Sequence, residues 1–291
     1  MNDNLHVELN IALKAIPKLA ERTELMCSNE SVGSFVSGIS GYVTEKIKDI
    51  STSFSINSDR LGKVDKKDLS EQAKELTNLK KDIISILKDV KFQDVDNRET
   101  PVTLGLKVDL LTMVNKIDAV IKTIATDLEE SIDEIDTVVS NMLANADYRK
   151  RLKPGKKFEK LYSTIHTMDD LISDVIDPNG TKDRLTIGKV LPNLNSLNTI
   201  YERLREQNNL FTYNDIKSIK NRVSVLNQKV DSLYQLFSED ENELKVSKES
   251  ITELAWALES LAEYVTKSIT VFYLLNQANS MTVNAVKIIK M

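Results

Sequence analysis

Residues 103–147 read TLGLKVDLLTMVNKIDAVIKTIATDLEESIDEIDTVVSNMLANAD, and this stretch decides the fold. Its apolar residues fall at Leu110, Val114, Ile117, Ile121, Ile124, Leu128, Ile132, Ile135, Val139 and Met142. Steps that mostly alternate between four and three place them on one stripe of an α-helix. Such a stripe is the seam by which a helix packs lengthwise against others. No Pro or Gly interrupts it after Gly105. At about 1.5 Å per residue, 45 residues make a rod roughly 65 Å long.

The same period recurs on both sides of this rod. Towards the N-terminus, Leu5, Leu9, Leu13 and Ile16 predict an amphipathic helix from Asn4 to about Cys27, kinked or broken at Pro17. A second helix carries Val32, Phe35, Val36, Ile39, Val43, Ile47, Ile50 and Phe54, with the chain restarting at Ser58-Asp59. Leu69, Ala73, Leu76, Leu79, Ile83, Leu87 and Val90 predict one helix over 69–90. Residues 93–101 read as a polar linker, closed by a Pro that disfavours helix at Thr100.

On the C-terminal side, Phe158, Leu161, Ile165, Met168, Leu171, Ile172 and Val175 form another stripe, and Asp177-Pro178-Asn179-Gly180 is a turn. Residues 185–191 fit either a short strand or irregular chain. Pro192 suits the first turn of a helix bearing Leu194, Leu197, Ile200, Tyr201 and Leu204. Thr212 and Asp215 resemble a capping box with Asp in place of Glu. The seam beyond them is Ile216, Ile219, Val223, Leu226, Val230, Leu233 and Phe237. A second long helix spans 246–291, with Ile251, Leu254, Leu258, Leu261, Val265, Ile269 and Phe272 on its stripe. That stripe weakens after Leu275, where Asn276, Gln277, Asn279 and Ser280 intervene, so the tail reads as a contact surface.

The expected fold is therefore all-α: an elongated multi-helix bundle with long coiled-coil-like helices, packed largely antiparallel, with little or no β-structure. Two halves, 1–147 and 148–291, meet near the basic turn between them and form one continuous bundle. No repeat of fixed period points to a solenoid.

Composition agrees. Eight Gly and five Pro in 291 residues leave few turn formers, so elements are few and long. Aromatic residues make up 5% of the chain, so Leu, Ile and Val must supply most of the core. A net charge of -5 argues against bulk nucleic-acid binding. Cys27 is the lone cysteine, which excludes an intrachain disulfide and a thiolate metal cluster. The N-terminus lacks the basic region and apolar run of a signal peptide, and no run is long enough to span a bilayer. The expected location is the cytoplasm of the producing cell or the inside of a virion.

No catalytic constellation stands out. His166 shares a helix face with Asp169 and Asp170, a weak hint of a Zn or Fe site that is more simply a polar helix surface. Gly33 and Gly38 have the spacing of a phosphate loop, but Ile39 and Ser40 stand where Lys and Ser or Thr belong. The expectation is a protein that is not an enzyme, with no cofactor and no metal.

Two stretches invite binding instead. Arg149, Lys150, Arg151, Lys153, Lys156 and Lys157 form a basic turn, a candidate contact for an anion or a partner and the one place where nucleic acid could engage. A solvated turn beyond the negative end of the long helix is the simpler reading. Residues 32–43, with Gly33, Gly38 and Gly41 among serines, pay heavily in helix propensity, about 1 kcal/mol per Gly. Close helix approach or a membrane-active segment would offset that. The functional expectation is a structural or assembly protein, homo- or hetero-oligomeric, with a bacteriophage virion component favoured by the Lys-, Asn- and Ile-rich composition. The alternative is a helical membrane-active, pore-forming-like protein with 32–43 as its active part.

Overall fold

The computed structural model describes residues 38–64, 66–102, 105–144, 156–177, 180, 184–239 and 248–291. The helix expected over Asn4–Cys27 lies outside them, as do residues 32–37 of the Gly/Ser-rich segment. The protein is an all-α bundle. Among the described residues nine α-helices occur with only two three-residue strands. The helices are α1 (Gly38–Gly62), α2 (Lys66–Asn78), α3 (Lys80–Asp89), α4 (Leu110–Ala144), α5 (Lys156–Val175), α6 (Ile187–Val190), α7 (Ser196–Leu210), α8 (Tyr213–Glu239) and α9 (Lys248–Lys290). Strand β1 (Glu99–Pro101) pairs antiparallel with β2 (Arg184–Thr186), Thr100 lying opposite Leu185.

The seam that organises 103–147 is real: every one of its apolar positions from Leu110 to Met142 is buried. Its helix starts at Leu110 rather than at Thr103. Asp109 stops it there, because its carboxylate accepts hydrogen bonds from the Thr112 backbone N–H at 3.0 Å and the Thr112 hydroxyl at 2.9 Å. A capped first turn of this kind removes orphan donors. Gly105, just upstream, lies against Gly180 so closely that a Cβ on Gly105 would sit 2.6 Å from the Asp177 carbonyl oxygen. Asp177 N–H donates to the Gly105 carbonyl at 2.9 Å, and Lys107 N–H to that of Val175 at 3.0 Å, so this backbone crossing needs glycine.

Three further boundaries differ from the sequence reading. The helix expected over 69–90 is two, α2 and α3, separated at Leu79, whose N–H reaches back only to Leu76 in a tight turn. Ser58-Asp59 does not restart the chain, because α1 runs through to Gly62. Pro192 lies ahead of α7 and not in its first turn; Asn193 instead accepts the Ser196 N–H at 3.0 Å. Thr212 and Asp215 do close the start of α8, with Thr212 N–H donating to the Asp215 carboxylate at 2.6 Å.

The largest departure concerns the C-terminal helix. Its tail from Asn276, read from sequence as a contact surface, belongs to the central helix of the bundle. α9 packs on α1, α2, α3, α4, α5, α7 and β1. From Tyr264 to Asn279 every residue is buried, whichever face it lies on. A helix wrapped on all sides has no solvent face to mark with charge, so its apolar stripe blurs. This is why the stripe weakens after Leu275: Asn276, Gln277 and Asn279 are interior, Ser280 and Asn284 are half-buried, and the exposed residues are Lys287 and Lys290 in the last turn and Met291 beyond it.

Around α9 the amphipathic helices form a sheath. α1 lies most extensively on α8, antiparallel to it, Ser51 meeting Asn227 and Asp231 while Gly62 lies beside Lys220. α4 and α8 run parallel, Arg222 reaching Asp133 and Lys229 reaching Asp136 and Ser140. α7 runs antiparallel to α4, with Arg203 near Asp118 and Gln207 donating to the Val114 carbonyl at 3.1 Å. One continuous apolar core joins all of them, from Ile47 to Ile289.

Candidate functional site

The chemistry-bearing side chains collect along α9, because a fully buried helix with polar residues must satisfy each of them inside the protein. Most hydroxyls do so on their own helix. Ser260, Thr266, Ser268, Thr270 and Thr282 each donate to the carbonyl four residues back, at 2.7–3.1 Å. Asn57 of α1 donates to the Ala262 carbonyl at 3.3 Å, and its carboxamide oxygen, 3.1 Å from the Thr266 hydroxyl, is an alternative acceptor for that one proton. Asn208 of α7 and Asn279 face each other as a reciprocal amide pair, at 3.1 and 2.9 Å. The exposed end of α9 is closed by Arg98, which donates to the carbonyls of Ile288 at 3.1 Å and Ile289 at 3.4 Å. A cation at that end also complements the helix dipole.

Lys267 and Tyr264 are among the ionisable groups drawn into the interior. Lys267 is 3% exposed and is held between Asp169 of α5 and Glu263, the latter at 2.6 Å. Tyr264 is buried with its hydroxyl unpaired. Burial pushes that phenol's pKa well above the ordinary tyrosine value, and the negative charge of Asp127 adds to the rise. On the outside, the hydrogen bond to Asp133 holds the Arg222 guanidinium above its usual pKa.

The sequence-predicted site residues fare differently. Arg149, Lys150, Arg151 and Lys153 lie outside the described residues. Lys156 and Lys157 fall at the start of α5. His166 is exposed, and its neighbour Asp169 turns away to Lys267. Among the described residues no group of three or more His, Cys, Asp or Glu could hold a metal. The Lys267 cluster and the Asn208–Asn279 pair were not singled out from sequence. One signal did exist: Ser268–Val286 is a charge-free run inside a chain that is 29% charged. No protein-family model, curated protein or solved structure matches the chain.

Proposed function

We propose that the protein is a non-enzymatic structural component, a building block or adaptor of a larger assembly, with a bacteriophage virion as the setting its composition favours. The observation that carries this reading is the clamped rod. Three long helices, α4, α8 and α9, share one core, and α9 alone runs roughly 65 Å at about 1.5 Å per residue. Ion pairs from Arg222 and Lys229 fix α8 on α4, and Lys267 fixes α9 on α5. A body held this way keeps two distant ends at constant separation, which suits a spacer or scaffold. Because the seams are filled within the chain, contacts with other proteins fall to outer faces and to the basic residues Arg149–Lys157. The test is the size at which the protein elutes from its native extract. A large, defined complex that dissolves when Arg149, Lys150, Arg151 and Lys153 are replaced by Ser supports the reading. Elution as a 32.9 kDa monomer with no partner opposes it.

A second reading has one specific observation in its favour. The charge-free run Ser268–Val286 is sheathed by amphipathic helices, the arrangement expected if a membrane-active segment were stored inside a folded protein. In that case α9, and not only 32–43, is the active part. Against it, no helix among the described residues is long and apolar enough to cross a membrane. Dye release from anionic and neutral liposomes across pH 4–8 would favour this reading, and intact vesicles throughout would remove it.

A further inference from the structure

The sheath around α9 has an opening. Between α2, the α7–α8 turn and α9 lies a cavity of about 180 Å³ that reaches the surface. Leu69 and Ala73 line it from α2, Phe211 from the turn, and Phe272, Leu275 and Asn276 from α9. Phe211 and Phe272 meet edge to face, ring centres 5.4 Å apart at 61°, which fixes one wall. The polar member of the α9 wall is unusual. Asn276 is 5% exposed and sets a carboxamide-bearing residue in a wall otherwise made by Phe272 and Leu275. Further along the run, Asn279 pairs with Asn208, and Thr282 bonds its own helix. A polar group placed in the wall of a largely apolar cavity favours an occupant that can hydrogen-bond to it.

We propose that this cavity is a binding site for a small uncharged aromatic molecule of phenol size, its ring between Leu69, Phe211 and Phe272 and its hydroxyl on the Asn276 carboxamide. The volume sets the size, since a dry apolar cavity of roughly 150 Å³ already accepts benzene. The walls set the class: none of the lining residues is charged, and Asp215 lies just behind Thr212, so an anion is disfavoured. The carboxamide sets the preference, because it can donate to or accept from a hydroxyl but gains nothing from a hydrocarbon.

The experiment is titration of the full chain with phenol, toluene and benzoate by calorimetry, with heteronuclear NMR shifts to locate the site. Saturable one-to-one binding of phenol is expected, about 5- to 10-fold tighter than toluene, as one hydrogen bond allows. Benzoate should bind more weakly than either. Asn276→Leu should cancel the phenol preference while keeping toluene binding, and Ala73→Phe, on the half-exposed wall, should abolish both. Circular dichroism confirms that each variant is folded. The phenol-to-toluene ratio in the unaltered protein needs no variant at all. No saturable binding, toluene bound as tightly as phenol, or shifts away from Phe211 and Phe272 would overturn the assignment.

Discussion

Replacing Asp169 by Asn and Glu263 by Gln together should strand a lysine in the core. Lys267 is 3% exposed, and these two carboxylates are its counter-charges. Removing all compensation from a buried ion costs on the order of 3–5 kcal/mol. The carboxylates are themselves 37% and 29% exposed, so water near them lowers the figure to about 3 kcal/mol. With a urea dependence of about 3 kcal/mol per molar, the unfolding midpoint should fall by about 1 M. Lys267→Met alone should cost less, about 1 kcal/mol, because the partly exposed carboxylates can recover hydration while the Met side chain fills the apolar channel. The decisive comparison is the triple variant. Adding Lys267→Met to the Asp169→Asn, Glu263→Gln pair should restore most of the loss, because the stranded charge is gone. Equilibrium urea unfolding at pH 7 and 25 °C, followed by circular dichroism, measures all three. If the double variant is no less stable than Lys267→Met, or the triple is less stable than the double, Lys267 does not sit uncompensated in the interior and the central placement of α9 loses its electrostatic support.

Tyr264→Phe should be neutral or slightly stabilising at pH 7, since the hydroxyl it removes has no partner. Its signature is alkaline: the raised folded-state pKa gives stability that is complete below the unfolded value near 10 and lost as pH rises above it, by up to about 1.4 kcal/mol per pH unit. The difference in urea midpoint between Tyr264→Phe and the parent should therefore widen from pH 9 to pH 11. Arg98→Ala should cost about 1–2 kcal/mol by freeing the Ile288 and Ile289 carbonyls, read as a lower melting temperature in calorimetry. Asn208→Leu and Asn279→Leu should each lose about 1–3 kcal/mol, with the double variant recovering part of it in a mutant cycle on urea midpoints. Gly105→Ala should lower the melting temperature, whereas Ile56→Ser, on the exposed side of α1, should leave it within about a degree, the stability change being about 0.5 kcal/mol or less.

Where a helix has one wet face, periodicity reads it well. The stripe from Leu110 to Met142 and the stripe from Ile216 to Leu233 are buried residue for residue, because solvent demands charge opposite them. Periodicity fails for α9 for the converse reason. With helices on every side, Asn276, Gln277 and Asn279 need only partners, not water, and polar letters there suggested a surface that the fold places inside. Composition along the helix was the better guide, as Ser268–Val286 carries no charge whereas the preceding run from Glu253 to Lys267 carries four. Local chemistry gave mixed results. The Thr212–Asp215 closure was visible as spacing, but the Asp109 cap was hidden because Leu106 and Val108 extend the apolar pattern upstream. The break at Leu79 has no Gly or Pro to announce it. The Lys267–Asp169 contact joins residues 98 apart in sequence, and only the topology brings them together.

The central claim is that the C-terminal helix is the core of the bundle and not a free contact surface. Native-state hydrogen exchange, resolved by peptide over 264–283, tests it directly. The expected result is protection equal to the global unfolding free energy, slower than any segment of α2 or α3. Exchange over 276–283 as fast as in those outer helices would contradict the claim and return the C-terminal helix to the surface, where it would be available to a partner.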